Sequence, residues 1–541
     1  MPGLTRRQLL VSAAGVAGAA VLGGCGRGGS DAVTATSAAV HRAEAARRRA
    51  AGRRTVAARL VAQRTTIDLG GPTVRTWAYG NTVPGPLLRA TAGDLLKVAV
   101  ENQLPDPTTV HWHGVALRND MDGVPGVTQD PISPGGRFEY AFTVPDSGTY
   151  FFHPHVGLQL DRGLYGVLVV DDPHEPGEYD TEWVVVLDDW VDGTGRTPDD
   201  VLHDLTAGSI GDMAGMGGMH HDTSDPNGAE PDDAMSGMGM TGTGMSGTGM
   251  HGAGTSSGGM SGMDHMGGEG MTSPLLGGAG DIAYPHYLLN GRISAAPTTF
   301  RGRPGQRVRI RLVNAGSDTA FRVALGGHQL RVTHADGWPV VPTDTDALLI
   351  GMGERFDVEV TLGDGVFPLV AAAEGKTGAA QAVVRTGGGT APGAGSRPAE
   401  LSKRVLLGND LNATTPARLP ERAVDRTHDL LLGGTMAGYR WTINGKTFPD
   451  TGPLPVSEGE RVRLRFANHS MMFHPMHVHG HTFALAARGS SEGARKDTVI
   501  VRPMSTVTVE LDATNPGQWM THCHNVYHAE RGMMINLSYR T

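Results

Sequence analysis

"GERVRLRFAN" (residues 459–468) alternates apolar and polar side chains, the period-two pattern of a strand with one buried face. The pattern recurs at "GDLLKVAVEN" (93–102) and "GQRVRIRLVN" (305–314), and each copy ends in asparagine nine residues after its glycine. One strand written three times predicts three copies of one β domain. Length agrees, because 541 residues at about 150 per domain give roughly three.

Nine residues beyond each asparagine stand "HWHG" (111–114), "VALG" (323–326) and "HVHG" (477–480). Five residues beyond Gly148, Gly365 and Gly517 stand "HPH" (153–155), "VAA" (370–372) and "HCH" (522–524). The outer copies therefore carry four His-x-His pairs, and the middle copy is an apolar spacer. Residues i and i+2 of a strand share a face, so each pair aims two imidazoles one way. Eight imidazoles at repeat-equivalent positions have no packing role, whereas neutral imidazole is a preferred ligand of copper and zinc.

In "THCHNVYHAERGMM" (521–534) the same alternation turns Cys523 away from His522 and His524, so one strand serves two metal sites. A thiolate with two imidazoles and a long axial thioether is the blue-copper arrangement. Cys523 supplies the sulfur, His528 an imidazole and Met533 a thioether; "HPMHVHG" (474–480) offers His474 as the second imidazole. Met534 points to the other face.

Together, "HWHG", "HPH", "HPMHVHGH" and "HCHNVYHAERGMM" resemble the four copper signatures of the three-domain multicopper oxidases, which include laccases and bacterial copper-tolerance oxidases. The resemblance runs from about residue 65 to the C-terminus. It implies an all-β chain of three cupredoxin-like Greek-key β-sandwich domains and four copper ions. By that resemblance His474, Cys523, His528 and Met533 hold a type 1 copper, and His111 and His477 a type 2. It gives His113, His153, His155, His479, His522 and His524 to two type 3 coppers. The implied reaction is one-electron oxidation of a donor at type 1, coupled to four-electron reduction of O2 to water. Asp122, in "MDGVPG", resembles a family acid near the type 2 site, and Glu530 lies between two ligands of the last motif; both are candidate proton donors.

The expected boundaries are 1–25 signal, 26–64 tether, 65–175 first domain, 176–395 second domain and 396–541 third domain. "TRRQLL" supplies twin arginines, and an apolar stretch ending in "LGGC" looks like a lipoprotein processing site at Cys25. The chain is thus expected to be a Tat-exported lipoprotein of the cell envelope, touching the membrane only through that anchor. The arginine-rich run of the tether is suited to anionic headgroups. A net charge of −9 with no basic domain argues against nucleic acid as a partner.

Residues 213–271 hold 12 of the 23 methionines among Gly, Ser and Thr, and so few bulky apolar groups cannot bury a core. A disordered insertion in the second domain is expected there. Thioethers select Cu(I), which points to cuprous ion as a donor beside small phenolic or aromatic reductants. The competing function is a copper-sequestering envelope lipoprotein without significant turnover, for which the methionines alone would suffice. A two-domain copper nitrite reductase is a weaker match, since it lacks a third repeat and histidines on both sides of the cysteine.

Overall fold

The computed structural model describes residues 31–50, 54–175, 178–215, 272–486 and 492–541. The expected export signal, Cys25 and, beyond Gly215, the Met-rich insertion lie outside the described residues. Among those described, no helix is long and apolar enough to cross a membrane.

Six sheets form three cupredoxin-like β-sandwiches, two sheets to each. The repeated strand is the centre of one sheet every time: Leu95–Asn102, Arg307–Asn314 and Arg461–Asn468. Each runs parallel to the first strand of its domain (Val56↔Leu96, Val308↔Thr181, Arg426↔Val462) and antiparallel to a later one. The terminal asparagines, all buried, explain the repeat's punctuation. Asn102, Asn314 and Asn468 each accept from the backbone N–H two residues on, of Leu104, Gly316 and Ser470. Each also donates from Nδ2 to two carbonyls, one in the following loop and one on a distant segment. A buried amide satisfied on three sides fixes the loop that delivers the next strand.

That next strand carries the histidines. In the first domain His111 pairs with His153, and in the third His477 pairs with His522. In the second domain the corresponding pair is Val323 and Ala371, packed in the core. Asn290–Gly291 and Asn444–Gly445 take positive φ at both residues, the two-residue hairpin turn their sequence favours.

Two expected boundaries are corrected. Residues 26–64 are not a tether where they are described: Ala38–Ala50 is a helix with Val40 and Glu44 buried, and a strand begins at Thr55. Abundant Ala and Arg masked the inward positions of that strand, of which Leu60 and Ala62 are fully enclosed. The second domain also runs past residue 395, because Val405–Leu407 adds a parallel strand to its sheet (Leu348↔Leu406).

Candidate metal centre

Asn525 begins the construction. Its Oδ1 accepts from the N–H groups of Tyr527 and His528, capping the short helix Val526–Glu530. The chain thereby turns back after His524, and His528 Nδ1 lies 3.7 Å from Cys523 Sγ. From a neighbouring strand, His474 Nδ1 comes within 3.6 Å of the same sulfur and 3.1 Å of His528 Nδ1. Outer partners fix both rings: His474 Nε2 lies 2.8 Å from Ser470 Oγ, and His528 Nε2 donates to Asp281 Oδ2 at 2.9 Å. Each Nδ1 is left as a lone pair, and two lone pairs 3.1 Å apart beside a thiol fit a cation between them. Met533 is fully buried in the same cluster and tied through its backbone to both Cys523 and His528. Met534 pairs with His522 on the other side of the strand.

Across the seam between the first and third domains the remaining histidines converge. His111, His477 and His479 form one group able to hold an ion, His111, His113 and His153 a second, and His155, His479 and His522 a third. The rings of His111 and His479 stack at 3.8 Å, and those of His113 and His477 at 3.7 Å. His524 falls in none of these groups. Its ring centroid lies 4.8 Å from that of His113 and 5.3 Å from that of His153.

The donor chemistry fits a metal. Nε2 of His111, His153 and His477, Nδ1 of His113 and both nitrogens of His524 are buried without a hydrogen-bond partner. Such orphans are costly unless something coordinates them. Burial holds His113, His153, His155, His474, His477, His479, His522 and His524 below the usual imidazole range, and adjacent imidazoles reinforce it for each of them, with the Asp497 carboxylate opposing it at His477. They are neutral, as ligands must be. Burial pushes the Cys523 thiol up, so a bound cation must displace its proton.

Multicopper oxidase profiles match residues 61–175, 265–389 and 423–541. The multicopper oxidase MmcO of Mycobacterium tuberculosis is 51% identical over 480 residues, covering 88% of this chain and 86% of that one. The chain is a multicopper oxidase. A copper resistance protein A homologue of Pseudomonas syringae pv. tomato is 28% identical, over 87% of this chain and 90% of its own. The crystal structure of a multi-copper oxidase from Pseudomonas thermotolerans superposes with a TM-score of 0.63 at 26% identity, over 90% of this chain and all of that one.

In this copper-dependent oxidoreductase the clustered histidines are held by side chains that sequence reading did not single out. Asp497 lies 3.2 Å from His113 Nε2, its carbonyl accepts from His477 Nδ1 at 2.9 Å, and its carboxylate takes both arms of Arg355. Arg355, Asp281 and Gly353 come from the second domain, which is no mere spacer. A Cβ on Gly353 would sit 2.8 Å from His524 and 3.0 Å from His113, and its φ is +82°, so only glycine closes the oxidase's cluster there. No local signal marks these residues, because their partners lie far away in sequence.

Of the two candidate acids, Asp122 is fully buried, accepting from His479 Nδ1 through Oδ2 at 2.9 Å and from His111 Nδ1 through its carbonyl at 2.9 Å. Glu530 has no hydrogen bond to a histidine among the described residues. It is exposed at the mouth of a cavity of about 140 Å³ lined also by His153, His155, His522 and His524, where partial desolvation raises its carboxyl.

Proposed function

We propose that the oxidase binds four copper ions. His474, Cys523, His528 and Met533 would hold one, and His111, His113, His153, His155, His477, His479, His522 and His524 would hold three. The observation that carries this reading is the strand Gln518–Cys523, which turns its sulfur to one histidine pair and His522 to the interdomain group. Bound copper supplies one-electron acceptance at the sulfur site and four-electron reduction of O2 to two waters at the three-ion site.

The chain's own contributions are three. Cys523 is bonded through the backbone to both His522 and His524, which would give electrons a short covalent path from the sulfur site to the interdomain histidines. Asp122 and Glu530 are the groups we assign to proton delivery, a reading supported by the two imidazoles that Asp122 touches and by the cavity that Glu530 lines. Seven of the eight cluster histidines are buried and His155 is half-buried beside the cavity, which limits the access of bulk water to the reacting atoms.

Cuprous ion is the donor we favour over phenols. Three of the six exposed large apolar side chains among the described residues are methionines of the third domain: Met471 (74% exposed), Met504 (70%) and Met436 (49%). Met471 follows Ser470, the partner of His474, and Tyr439, next to Met436 across the hairpin tip, donates to Asp281. The thioethers of Met471 and Met436, beside residues bonded to His474 and Asp281, suit Cu(I) capture together with the Met-rich stretch beyond Gly215. The twin-arginine and cysteine signals support export to the cell envelope as a lipoprotein.

Oxygen uptake with Cu(I), Fe(II) and a phenol on one copper-loaded preparation tests the function. Turnover supports the oxidase, and its absence with every donor supports sequestration instead. Deleting residues 216–271 is expected to impair Cu(I) oxidation more than phenol oxidation; equal effects would remove the stretch from substrate capture.

A further inference from the structure

The helix Ala38–Ala50, with the residues just before it, lies across the seam between the first and third domains. On the first-domain side, Glu44, 4% exposed, accepts from the backbone N–H and the hydroxyl of Thr143 at 2.9 and 2.8 Å. Arg118 Nη2 donates to His41 Nδ1 at 3.2 Å. On the third-domain side, Arg47 donates to Asn515 Oδ1 at 2.7 Å, Val33 N–H donates to the Tyr539 carbonyl, and Gln518 Nε2 donates to the Val33 carbonyl at 2.8 Å.

Asn515 and Gln518 are also the residues that bind the third domain to the first. Asn515 Nδ2 bridges the carbonyls of Leu117 and Gly480, both at 2.9 Å. Gln518 exchanges two bonds with Asn119, accepting at 2.6 Å and donating at 3.1 Å. Three of these positions lead into the cluster: Gly480 follows His479, Asn119 stands three residues before Asp122, and Gln518 opens the strand that carries His522. A 13-residue helix is marginal alone in water, so its order comes from this docking.

We infer that residues 31–50 are an intramolecular clasp, with Glu44 and Arg47 as positioning residues that hold the first and third domains in the register their shared copper site needs. This rests on the reading of the interdomain histidines as that site. The sulfur site lies within the third domain and is outside the clasp's reach, so the two kinds of copper respond differently.

The test is copper release from the holoenzyme to a strong chelator, following non-blue copper by its electron paramagnetic resonance and by metal analysis, and blue copper by its absorption. Glu44→Ala with Arg47→Ala is expected to release non-blue copper at least about tenfold faster than wild type, since each lost bond involves a charged group. Blue copper should leave at the wild-type rate. Glu44→Gln, which keeps an acceptor for Thr143, should restore retention. Should the double variant not fold, Arg47→Ala alone carries the same comparison from a partly exposed position. Unchanged release of non-blue copper, or parallel loss of both kinds, overturns the clasp. A wild-type protein that never holds non-blue copper overturns the reading of the site as well.

Discussion

His528 and Asp281 join the third domain to the second: Nε2 donates to Oδ2 across 2.9 Å, and the same oxygen accepts from Tyr439 at 2.6 Å. Burial alone would raise the Asp281 carboxyl, but the bonds from His528 and Tyr439 and the nearby Lys376 hold it below the usual range. An ionised carboxylate behind the imidazole increases the basicity of Nδ1 and fixes the ring. Asp281→Asn should weaken copper binding at the sulfur site by roughly 10–100-fold. Chelator titration of the blue band measures this, and an unchanged affinity would detach Asp281 from the site.

Arg355 and Asp497 are a buried pair with no exposure, bonded at 2.7 and 2.6 Å. Burial works to raise the Asp497 carboxyl, and the Arg355 guanidinium outweighs it. Removing one member strands the other charge. Arg355→Met is expected to cost about 3–5 kcal/mol of apoprotein stability. Urea denaturation followed by tryptophan fluorescence reads it, and a loss under about 1 kcal/mol would contradict the account.

Asp122 touches one histidine from each outer domain, so charge and geometry can be separated there. Asp122→Asn keeps an acceptor but removes the acid. Dioxygen reduction should fall by roughly 100-fold while the blue colour persists. Wild-type turnover in that variant would take Asp122 out of proton delivery.

Eight of the clustered histidines have pKa values lowered by burial in the fold, against 6.5 when unperturbed. Below pH 6.5 the unfolded chain therefore binds protons that the folded apoprotein refuses, and stability falls as pH drops toward the folded values. The apoprotein's Tm should decline from pH 7 to pH 5, whereas replacing His474 by Gln should flatten that slope. A Tm independent of pH over this window would contradict buried neutral imidazoles.

What the sequence disclosed, it disclosed by repetition. Gly459 to Asn468 and its two counterparts could be aligned by eye because period-two strands and a closing asparagine are local features. His111, His477 and His522 then followed by counting. The bonds of Asn102, Asn314 and Asn468 show why that counting works, since each asparagine sets the loop length before the next strand. Asp497, Arg355, Asp281 and Gly353 were silent because their roles depend on which domains meet. Glu44 was hidden differently: its Ala- and Arg-rich surroundings have the composition of a linker, and only the acceptor it offers Thr143 distinguishes it.

The central claim is that one strand feeds two separate copper sites, one through Cys523 and one shared between the outer domains. Copper content and visible absorption of holoprotein, wild type beside Cys523→Ser, test it most directly. The account predicts four copper ions and a blue protein for wild type, and three ions with no blue band for the variant. A colourless wild type, or a variant that loses the non-blue copper together with the blue, would contradict it.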